Sequence, residues 1–409
     1  MSDKTAQSIW QRCIQLPGLN SRFMRSYALL LVMASVPLQT WAQQAAAPSQ
    51  ATAGASSDET ALLPGLVREP IALQITLPDG AKPHLEALVV RPDRPGRWPL
   101  VLMTPGTPRV AATGVGDRAP ELLLNAAVAF AQRGYAAVIV LRRGFGHSDG
   151  PYAESGGPCR NPDYLSPGNA SADDLLGALD SLRAQPWVDG QRVLLLGKST
   201  GGLAVLAASA RNPQGVVGVL DFAGGRGSNR PDSVCRPDQL IAAVEQYGST
   251  AKIPSQWVWS ENDHYFNPDL ARQMLSAYTS HGVSAQLAVL PPFGDDGHEL
   301  LYDAPAETWW PTVEPFLKTL NLPTQIVVQL PAPAALPQPA GLNEGCQERF
   351  ALYGASRNEG KAFVIAAGGH CSNTLIERTP QEAAEHALAY CGSRWSECKV
   401  YALGQRVVQ

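Results

Sequence analysis

The segment Val193-Leu194-Leu195-Leu196-Gly197-Lys198-Ser199-Thr200-Gly201-Gly202 changes from an apolar run into a Gly-x-Ser-x-Gly motif, and the Ala- and Leu-rich residues 203–208 follow it. This order predicts a buried strand, a sharp turn and a helix. A serine on such a turn is held in strained backbone geometry with its hydroxyl exposed, and the flanking glycines let other backbone approach closely. Ser199 is therefore a candidate nucleophile; the alternative is a serine that caps a helix in a glycine-rich turn.

The same residues include Gly197-Lys198-Ser199-Thr200, which matches the end of a phosphate-binding loop. That loop requires a further glycine at position 192, where this chain has arginine, so nucleotide binding is not expected. The formal net charge of −4 and the isoelectric point near 6.0 provide no basic field for nucleic acid. Small neutral or anionic substrates remain compatible with this composition.

The amino terminus has the pattern of a secretory signal. Arg22 and Arg25 precede the apolar residues 27–34, and Thr40-Trp41-Ala42 offers small residues at the −3 and −1 positions of a cleavage site. We therefore expect a signal peptide over residues 1–42, with Met24 as a possible true start, and a flexible leader over residues 43–65. The alternative is an uncleaved anchor, but the apolar run is short for a bilayer. A periplasmic or secreted protein without stable membrane insertion follows.

The cysteines agree with export. Cys13 lies in the segment that would be removed, which leaves six cysteines, an even set suited to an oxidising compartment. Two of them precede position 300 and are expected to pair with each other, and the last four are expected to pair among themselves. Because the last four contain no C-x-x-C pair, disulfides are favoured over a metal site. The six are Cys159, Cys235, Cys346, Cys371, Cys391 and Cys398.

Short apolar runs alternate with helical patterns between residues 70 and 320, which is typical of a mainly parallel sheet covered on both faces. With 45% apolar residues and nine tryptophans in 409 residues, one large domain is expected over residues 66–322. The predicted strands are residues 71–77, 85–90, 99–103, 135–141, 192–196, 216–222, 256–260 and 286–290. The predicted helices are residues 120–133, 172–184, 203–211, 237–247, 268–281 and 306–320.

A second, smaller unit is expected at the carboxyl terminus. Five prolines mark residues 323–343 as an extended linker. Beyond it, residues 344–409 form a small Cys-rich α+β domain with strands at 361–366 and 398–402. Thr379-Pro380-Gln381-Glu382 is a capping box that opens a helix ending near Cys391. A unit of this size buries little core, so cross-links would stabilise it.

A serine nucleophile needs an imidazole as its base and a carboxylate that orients this imidazole. In hydrolases with this order of strands and helices, the acid and then the histidine follow the serine along the chain. Asp263 follows one predicted strand and His298 follows the last one, at the carboxyl ends where sites in open α/β sheets gather. Glu261 is the alternative acid, and His264 and His281 are the alternative bases.

Acyl transfer also requires two donors for the oxyanion. The backbone N–H of Thr200, directly after the nucleophile, is the first candidate, and the loop after the third strand should provide the other. Thr107 is the preferred donor in this loop because Pro105 has no N–H. The alternative is that residues 104–107 form an ordinary tight turn.

Taken together, these motifs resemble the α/β-hydrolase superfamily, and more narrowly its dienelactone-hydrolase-like and prolyl-oligopeptidase-like branches. The resemblance covers roughly residues 70–320 and rests also on Arg142-Arg143-Gly144-Phe145-Gly146-His147-Ser148-Asp149-Gly150. It implies an eight-stranded, mostly parallel sheet with helices on both faces. Two departures are present: Ser199 stands where dienelactone hydrolases use cysteine, and Thr104-Pro105-Gly106 replaces their His-Gly pair.

The sequence thus predicts an exported serine hydrolase that cleaves carboxylic esters through an acyl-enzyme. Its catalytic residues would be Ser199, His298 and Asp263, its oxyanion donors Thr107 and Thr200, and it would need neither metal nor organic cofactor. The expected partner is a small-molecule ester, and the sequence does not define the oligomeric state. The alternatives are an amidase or peptidase with the same triad, or a non-catalytic envelope-binding protein. Lys198 is expected to contact either a substrate carboxylate or a salt-bridge partner, and residues 150–170 to form the rim of the site.

Overall fold

Eight strands form one sheet in the computed structural model, which describes residues 62–109 and 115–408. The strands lie in the order β1-β2-β4-β3-β5-β6-β9-β10. β1 and β2 are antiparallel, β2 is antiparallel to β4, and every later pair is parallel. The predicted eight-stranded, mostly parallel sheet is confirmed. The strands are β1 Leu66–Gln74, β2 His84–Pro92, β3 Trp98–Thr104, β4 Ala136–Val140, β5 Val188–Lys198, β6 Val216–Phe222, β9 Ser255–Ser260 and β10 Ala285–Leu290.

The first strand begins five residues earlier than the sequence predicts. The pattern did not predict its start, because charged residues and proline are unusual inside a strand and this one contains Arg68, Glu69 and Pro70. β1 lies at the edge of the sheet, where a missing N–H and a solvated face are tolerated. The predicted turn at residues 78–80 is present, since the Gly80 amide donates to the Leu77 carbonyl over 2.9 Å.

Helices cover both faces of the sheet, as predicted. The largest departure is α2, which begins seven residues before its predicted start because Ser166-Pro167-Gly168-Asn169 has the composition of a turn. One apolar core lies on each face of the sheet. The helices of this region are α1 Leu124–Ala131, α2 Leu165–Arg183, α3 Thr200–Ser209, α4 Pro237–Gly248, α5 Pro268–Thr279, α6 Leu300–Asp303 and α7 Ala306–Thr319. A short hairpin of β7 Ser228–Arg230 and β8 Ser233–Val234 follows β6.

The carboxyl-terminal residues form a separate antiparallel sheet in the order β12-β11-β13-β14. The sequence predicts β11, β13 and α9, but not α8, β12 or β14. The capping box at Thr379 is present, with the Glu382 amide donating to the Thr379 hydroxyl. The elements are α8 Glu344–Ala355, β11 Ala362–Ile365, β12 Cys371–Thr374, α9 Pro380–Gly392, β13 Lys399–Leu403 and β14 Arg406–Val407.

Three disulfides join the six cysteines in the predicted groups. Cys159–Cys235 links two loops of the larger sheet region. Cys346–Cys371 joins α8 to β12, and Cys391–Cys398 joins the end of α9 to the segment before β13.

The proline-rich segment lies along the larger sheet region. The Tyr135 hydroxyl donates to the Pro323 carbonyl, and the amides of Val327 and Val328 both donate to Gln132. The described residues belong to one structural unit, so the boundaries at 322 and 344 stay predictions. No helix within residues 62–109 and 115–408 is long and apolar enough to cross a membrane. The predicted signal peptide and Met24 lie outside the described residues.

Candidate active site

Ser199 lies between β5 and α3 with a φ of 59° and a ψ of −122°. This conformation is costly for any residue other than glycine, and it aims the side chain away from the end of the strand. The turn closes only because its neighbours lack side chains. A Cβ at Gly197 would come within 2.0 Å of the Gly201 carbonyl oxygen, and one at Gly201 within 2.3 Å of the Thr104 oxygen. The predicted strand, turn and helix are therefore present.

Backbone hydrogen bonds hold this turn against the end of β6. The Ser199 amide donates to the Phe222 carbonyl over 2.9 Å, and the Gly225 amide donates to the Ser199 carbonyl over 3.0 Å. Ser199 itself is 3% exposed. The serine is thus fixed to two strands before any substrate arrives.

Asp263 and His298 meet although they follow different strands. The His298 Nδ1 lies 2.9 Å from the Asp263 Oδ2, and both side chains are at most 1% exposed. The other oxygen of Asp263 accepts from the amides of Tyr265 and Phe266 over 2.7 and 2.8 Å. This carboxylate is therefore oriented by backbone, and the contact fixes which nitrogen of His298 carries the hydrogen.

The second nitrogen of His298 is buried without a hydrogen-bond partner. The ring stacks on Tyr265 with centroids 3.9 Å apart and planes at 9°, which restricts its rotation. A buried, oriented imidazole with one unpaired nitrogen is suited to accept and return a proton.

The alternative acid and bases lie elsewhere. Glu261 is exposed. His264 pairs with Asp232 at 2.8 Å, and His281 lies 3.4 Å from Glu245, each with more than two-fifths of its side chain exposed. They remain outside the buried pair formed by Asp263 and His298.

The loop after β3 passes directly over the serine. A Cβ at Gly106 would lie 2.6 Å from the Ser199 Cβ, so this approach requires glycine. The Gly106 amide donates to the Tyr302 hydroxyl over 2.9 Å and is therefore already engaged. Thr107 and Thr200 both line the cavity that contains Ser199. The amides of Thr107 and Thr200 therefore remain the candidate oxyanion donors.

A buried ionic network lies behind this loop. Arg142 donates to the Thr104 hydroxyl, the Pro105 carbonyl and the Thr200 hydroxyl over 2.5, 2.8 and 3.3 Å. It also pairs with Glu154, which pairs in turn with Arg226. Burial would raise the pKa of Glu154, but the two guanidinium groups together lower it to about 2. Glu154 is therefore ionised, and the network connects the loop to the residue after the nucleophile.

Lys198 is buried beside the nucleophile and lies 3.5 Å from the Glu299 carboxylate. Its Nζ also lies 4.1 Å from the centre of the Tyr302 ring, whose hydroxyl contacts Gly106. Burial alone would lower the pKa of Lys198, but Glu299, Tyr302 and Tyr265 together outweigh it and raise this pKa. Of the two expected partners of Lys198, the structure provides the salt-bridge partner: Lys198 is buried and the Glu299 side chain is 40% exposed. The pair joins the neighbour of Ser199 to the neighbour of His298.

Asp221, on β6 behind the turn, is fully buried and both its oxygens are without side-chain partners. Burial raises the pKa of this carboxyl group well above its usual range.

Two adjoining cavities lie at the serine. The inner cavity, of about 100 Å³, is lined by residues that include Thr107, Arg109, Ser199, Thr200, Arg226 and Tyr265. The outer cavity, of about 330 Å³, is lined by residues that include Tyr152, Glu154, Tyr164 and the Cys159–Cys235 disulfide. The predicted rim is shorter than expected, because α2 already begins at Leu165.

Sequence reasoning missed the residues that surround the predicted triad. Arg142 belongs to a motif that the sequence singles out, but Glu154, Arg226 and Tyr302 carry no local signal. Among the described residues, no group of three or more His, Cys, Asp or Glu side chains is placed to hold a metal ion.

The fold and the site define a serine hydrolase of the α/β-hydrolase type. The model of the X-Pro dipeptidyl-peptidase family, known as S15, matches residues 79–310, which is more than half of the chain. The chain therefore belongs to this family. A search of curated protein sequences found no match.

Solved structures with a similar fold include an esterase from Pyrococcus furiosus, with 15% identity, a TM-score of 0.43, and coverage of 62% of this chain and 91% of that chain. Dipeptidyl peptidase 4 from Porphyromonas gingivalis has 18% identity, a TM-score of 0.44, and coverage of 62% and 35%. A dienelactone hydrolase-like promiscuous phosphotriesterase from metagenomic libraries has 17% identity, a TM-score of 0.44, and coverage of 62% and 98%.

Proposed function

We propose that this protein hydrolyses carboxylic esters through an acyl-enzyme in which Ser199, His298 and Asp263 act as a triad. The observation that carries the proposal is the buried His298–Asp263 pair, whose second imidazole nitrogen has no partner. Ser199, on its strained turn, is the nucleophile that this nitrogen would serve.

In the first half of the reaction, His298 Nε2 takes the proton of the Ser199 hydroxyl while the oxygen attacks the ester carbonyl. The amides of Thr107 and Thr200 bind the oxyanion that forms. The tetrahedral intermediate collapses, the ester C–O bond breaks, and His298 gives its proton to the leaving alkoxide. Asp263 stabilises the imidazolium throughout.

In the second half, His298 takes a proton from water, and the resulting hydroxide attacks the acyl-enzyme. Collapse of the second intermediate releases the carboxylic acid and returns the proton to Ser199. Arg142 is a positioning residue in this scheme, because it holds Thr104, Pro105 and Thr200 around the oxyanion site.

The second candidate is a dipeptidyl peptidase, which the family description favours. Such an enzyme must place the ammonium group of its substrate two residues from the bond that is cleaved. The charged side chains among the described residues of the inner cavity are Arg109 and Arg226, and both would repel an ammonium group. This charge favours the ester hydrolase.

The test is turnover of p-nitrophenyl butyrate and of Ala-Pro-p-nitroanilide by the protein from Gln43 onward, with Ser199→Ala alongside. Serine-dependent cleavage of the ester, with the anilide at least about a hundredfold slower in kcat/KM, is expected. Preferential anilide cleavage would establish the peptidase instead. A folded protein that cleaves neither substrate, and that a fluorophosphonate does not label at Ser199, would contradict both and favour a binding protein.

We also propose that the protein works outside the cytoplasm, after removal of residues 1–42, and that residues 66–322 and 344–409 act as two domains. Three disulfides support an oxidising compartment. Amino-terminal sequencing of the protein recovered from periplasm or medium should begin at Gln43, and full-length protein retained in the cytoplasm would contradict this.

A further inference from the structure

The inner and outer cavities share a wall, and this wall is basic. Four residues line both cavities: Arg109, Arg226, Gly227 and Ser228. A substrate that reaches Ser199 from the outer cavity must therefore pass both guanidinium groups. Among the described residues, no carboxylate lines the inner cavity, and Asp263 lies behind His298, outside the lining of both.

Glu154 neutralises only part of this charge. Its carboxylate is shared by Arg142 and Arg226, so the three buried groups keep one net positive charge. Arg226 is 7% exposed, and its Nε has no hydrogen-bond partner. An excess charge that is buried and only partly compensated is costly unless a ligand provides the missing counter-ion.

Arg109 has no acidic partner among the described residues. Its Nε donates to the Ser228 hydroxyl over 3.1 Å, and its Nη2 donates to the His264 carbonyl over 3.0 Å. Both acceptors are neutral, so its charge is oriented but not matched. The guanidinium lies 3.6 Å from the centre of the Tyr265 ring, whose other stacking partner is His298. The aromatic contact fixes Arg109 close to the reacting groups.

We propose that Arg109 and Arg226 form a subsite for an anionic group, a carboxylate in the first place, on the ester that Ser199 cleaves. Guanidinium groups match the planar geometry of a carboxylate and hold it with charge-assisted hydrogen bonds. The substrate would then carry two acidic functions: the esterified carbonyl at Ser199 and a free carboxylate at the junction of the cavities. This inference rests on the proposed ester hydrolase and specifies its substrate class.

Two matched substrate pairs test the subsite from either side of the ester bond. The acyl-side pair is mono-p-nitrophenyl adipate and its neutral monoamide. The leaving-group pair is p-carboxyphenyl butyrate and p-carbamoylphenyl butyrate. For at least one pair, kcat/KM of the anion should exceed that of the neutral partner by about tenfold, and the ratio should fall as salt is added.

Arg109→Gln should reduce this ratio by about tenfold, with Arg109→Lys in between, because lysine keeps the charge and loses the fork of donors. Arg272→Gln is the matched control. Arg272 is an exposed arginine on α5 that pairs with Asp269, so the ratio should not change. Arg226→Gln is a second variant that should also reduce the ratio. The comparison of substrates with the unaltered protein does not require any variant to fold.

The outcomes separate the two proposals. If neither member of any pair is cleaved in a Ser199-dependent way, the ester hydrolase itself fails. If the two members of each pair are cleaved with equal kcat/KM, or if Arg109→Gln lowers the two members of each pair by the same factor, the hydrolase stands and the anionic subsite is overturned.

Discussion

The larger sheet region and the carboxyl-terminal unit stabilise their folds in different ways. The eight-stranded sheet has an apolar core on each face. The four-stranded sheet has two small clusters, and each contains disulfide cysteines: Cys346 and Cys371 in one, Cys391 in the other. A large domain buries a greater share of its apolar surface, whereas one of about sixty residues buries less and gains more from cross-links.

The position of the third disulfide extends this comparison. Cys159–Cys235 lines the outer cavity and is not part of an apolar core cluster. The buried ions also differ between the regions. In the larger region Arg142, Glu154 and Arg226 are grouped at the candidate site, while in the small unit Lys361 is buried alone against backbone carbonyls. The two regions thus differ in how a buried charge is compensated: by ion pairs at the candidate site, and by backbone carbonyls in the small unit.

The largest expected effect is the loss of catalysis in His298→Ala. Without the base, kcat for p-nitrophenyl butyrate should fall by about 10⁴-fold or more, while the melting temperature stays close to that of the unaltered protein. His281→Ala is the matched control, because His281 is 46% exposed and lies 3.4 Å from Glu245 of α4, outside the candidate site. Retention of more than about one hundredth of the activity in His298→Ala would remove the histidine from the mechanism.

The sequence predicts those residues of the candidate site that lie at the carboxyl ends of strands. Ser199, Asp263 and His298 each lie just beyond an apolar run, and parallel strands bring such ends to one edge of the sheet. The Arg142–Glu154–Arg226 network could not be predicted in this way. Its members are far apart in the sequence and have the composition of surface residues, so only the assembled fold shows that they are buried together.

The small unit was harder to predict for a related reason. The capping box at Thr379 gives α9 a clear start. The N-cap of α8 is the less distinctive Asn343, whose side chain accepts from the Cys346 amide. Each helix contains a single leucine and no valine, isoleucine or methionine, so periodicity is a weak signal. The two disulfides of this unit add stability that its small apolar clusters do not provide.

Removal of Cys346–Cys371 should destabilise the small unit by about 3 kcal/mol, because the bond closes a 25-residue separation. Cys391–Cys398 closes a separation of seven, so its loss should cost less, about 2 kcal/mol. Double serine variants, with amide hydrogen exchange of β11 as the measurement, test this order. Equal losses would argue that chain entropy is not the cause. Ester turnover should change less than about threefold in both.

Lys361 makes the stability of the small unit depend on pH. Its Nζ donates to the carbonyls of Tyr353 and Ser356, and burial lowers its pKa from 10.5 to about 7. Between these values the unfolded chain holds a proton that the folded unit has released, so stability rises with pH in this window. Below about pH 7 both states are protonated and the cost of the buried charge is complete.

Lys361→Met should therefore flatten the rise in melting temperature between about pH 7 and pH 10. Lys252→Met, at an exposed position of the larger region, should leave the rise unchanged. A rise of the same size in Lys361→Met would assign the pH dependence to other groups.

The smallest expected effect concerns the contact between the two regions. Arg378 of the small unit pairs with Glu86 of β2 through both terminal nitrogens and also donates to the Arg118 carbonyl over 2.8 Å. Because both side chains are mostly buried, the coupling energy from a double-mutant cycle of Arg378→Gln and Glu86→Gln should reach about 1 kcal/mol. The cycle is needed because Glu86 also accepts from the His147 amide.

Arg349 and Asp295 form a second such pair, but Asp295 is 83% exposed, so the same cycle there should give about zero. Equal coupling in the two pairs would mean that burial does not determine their strength.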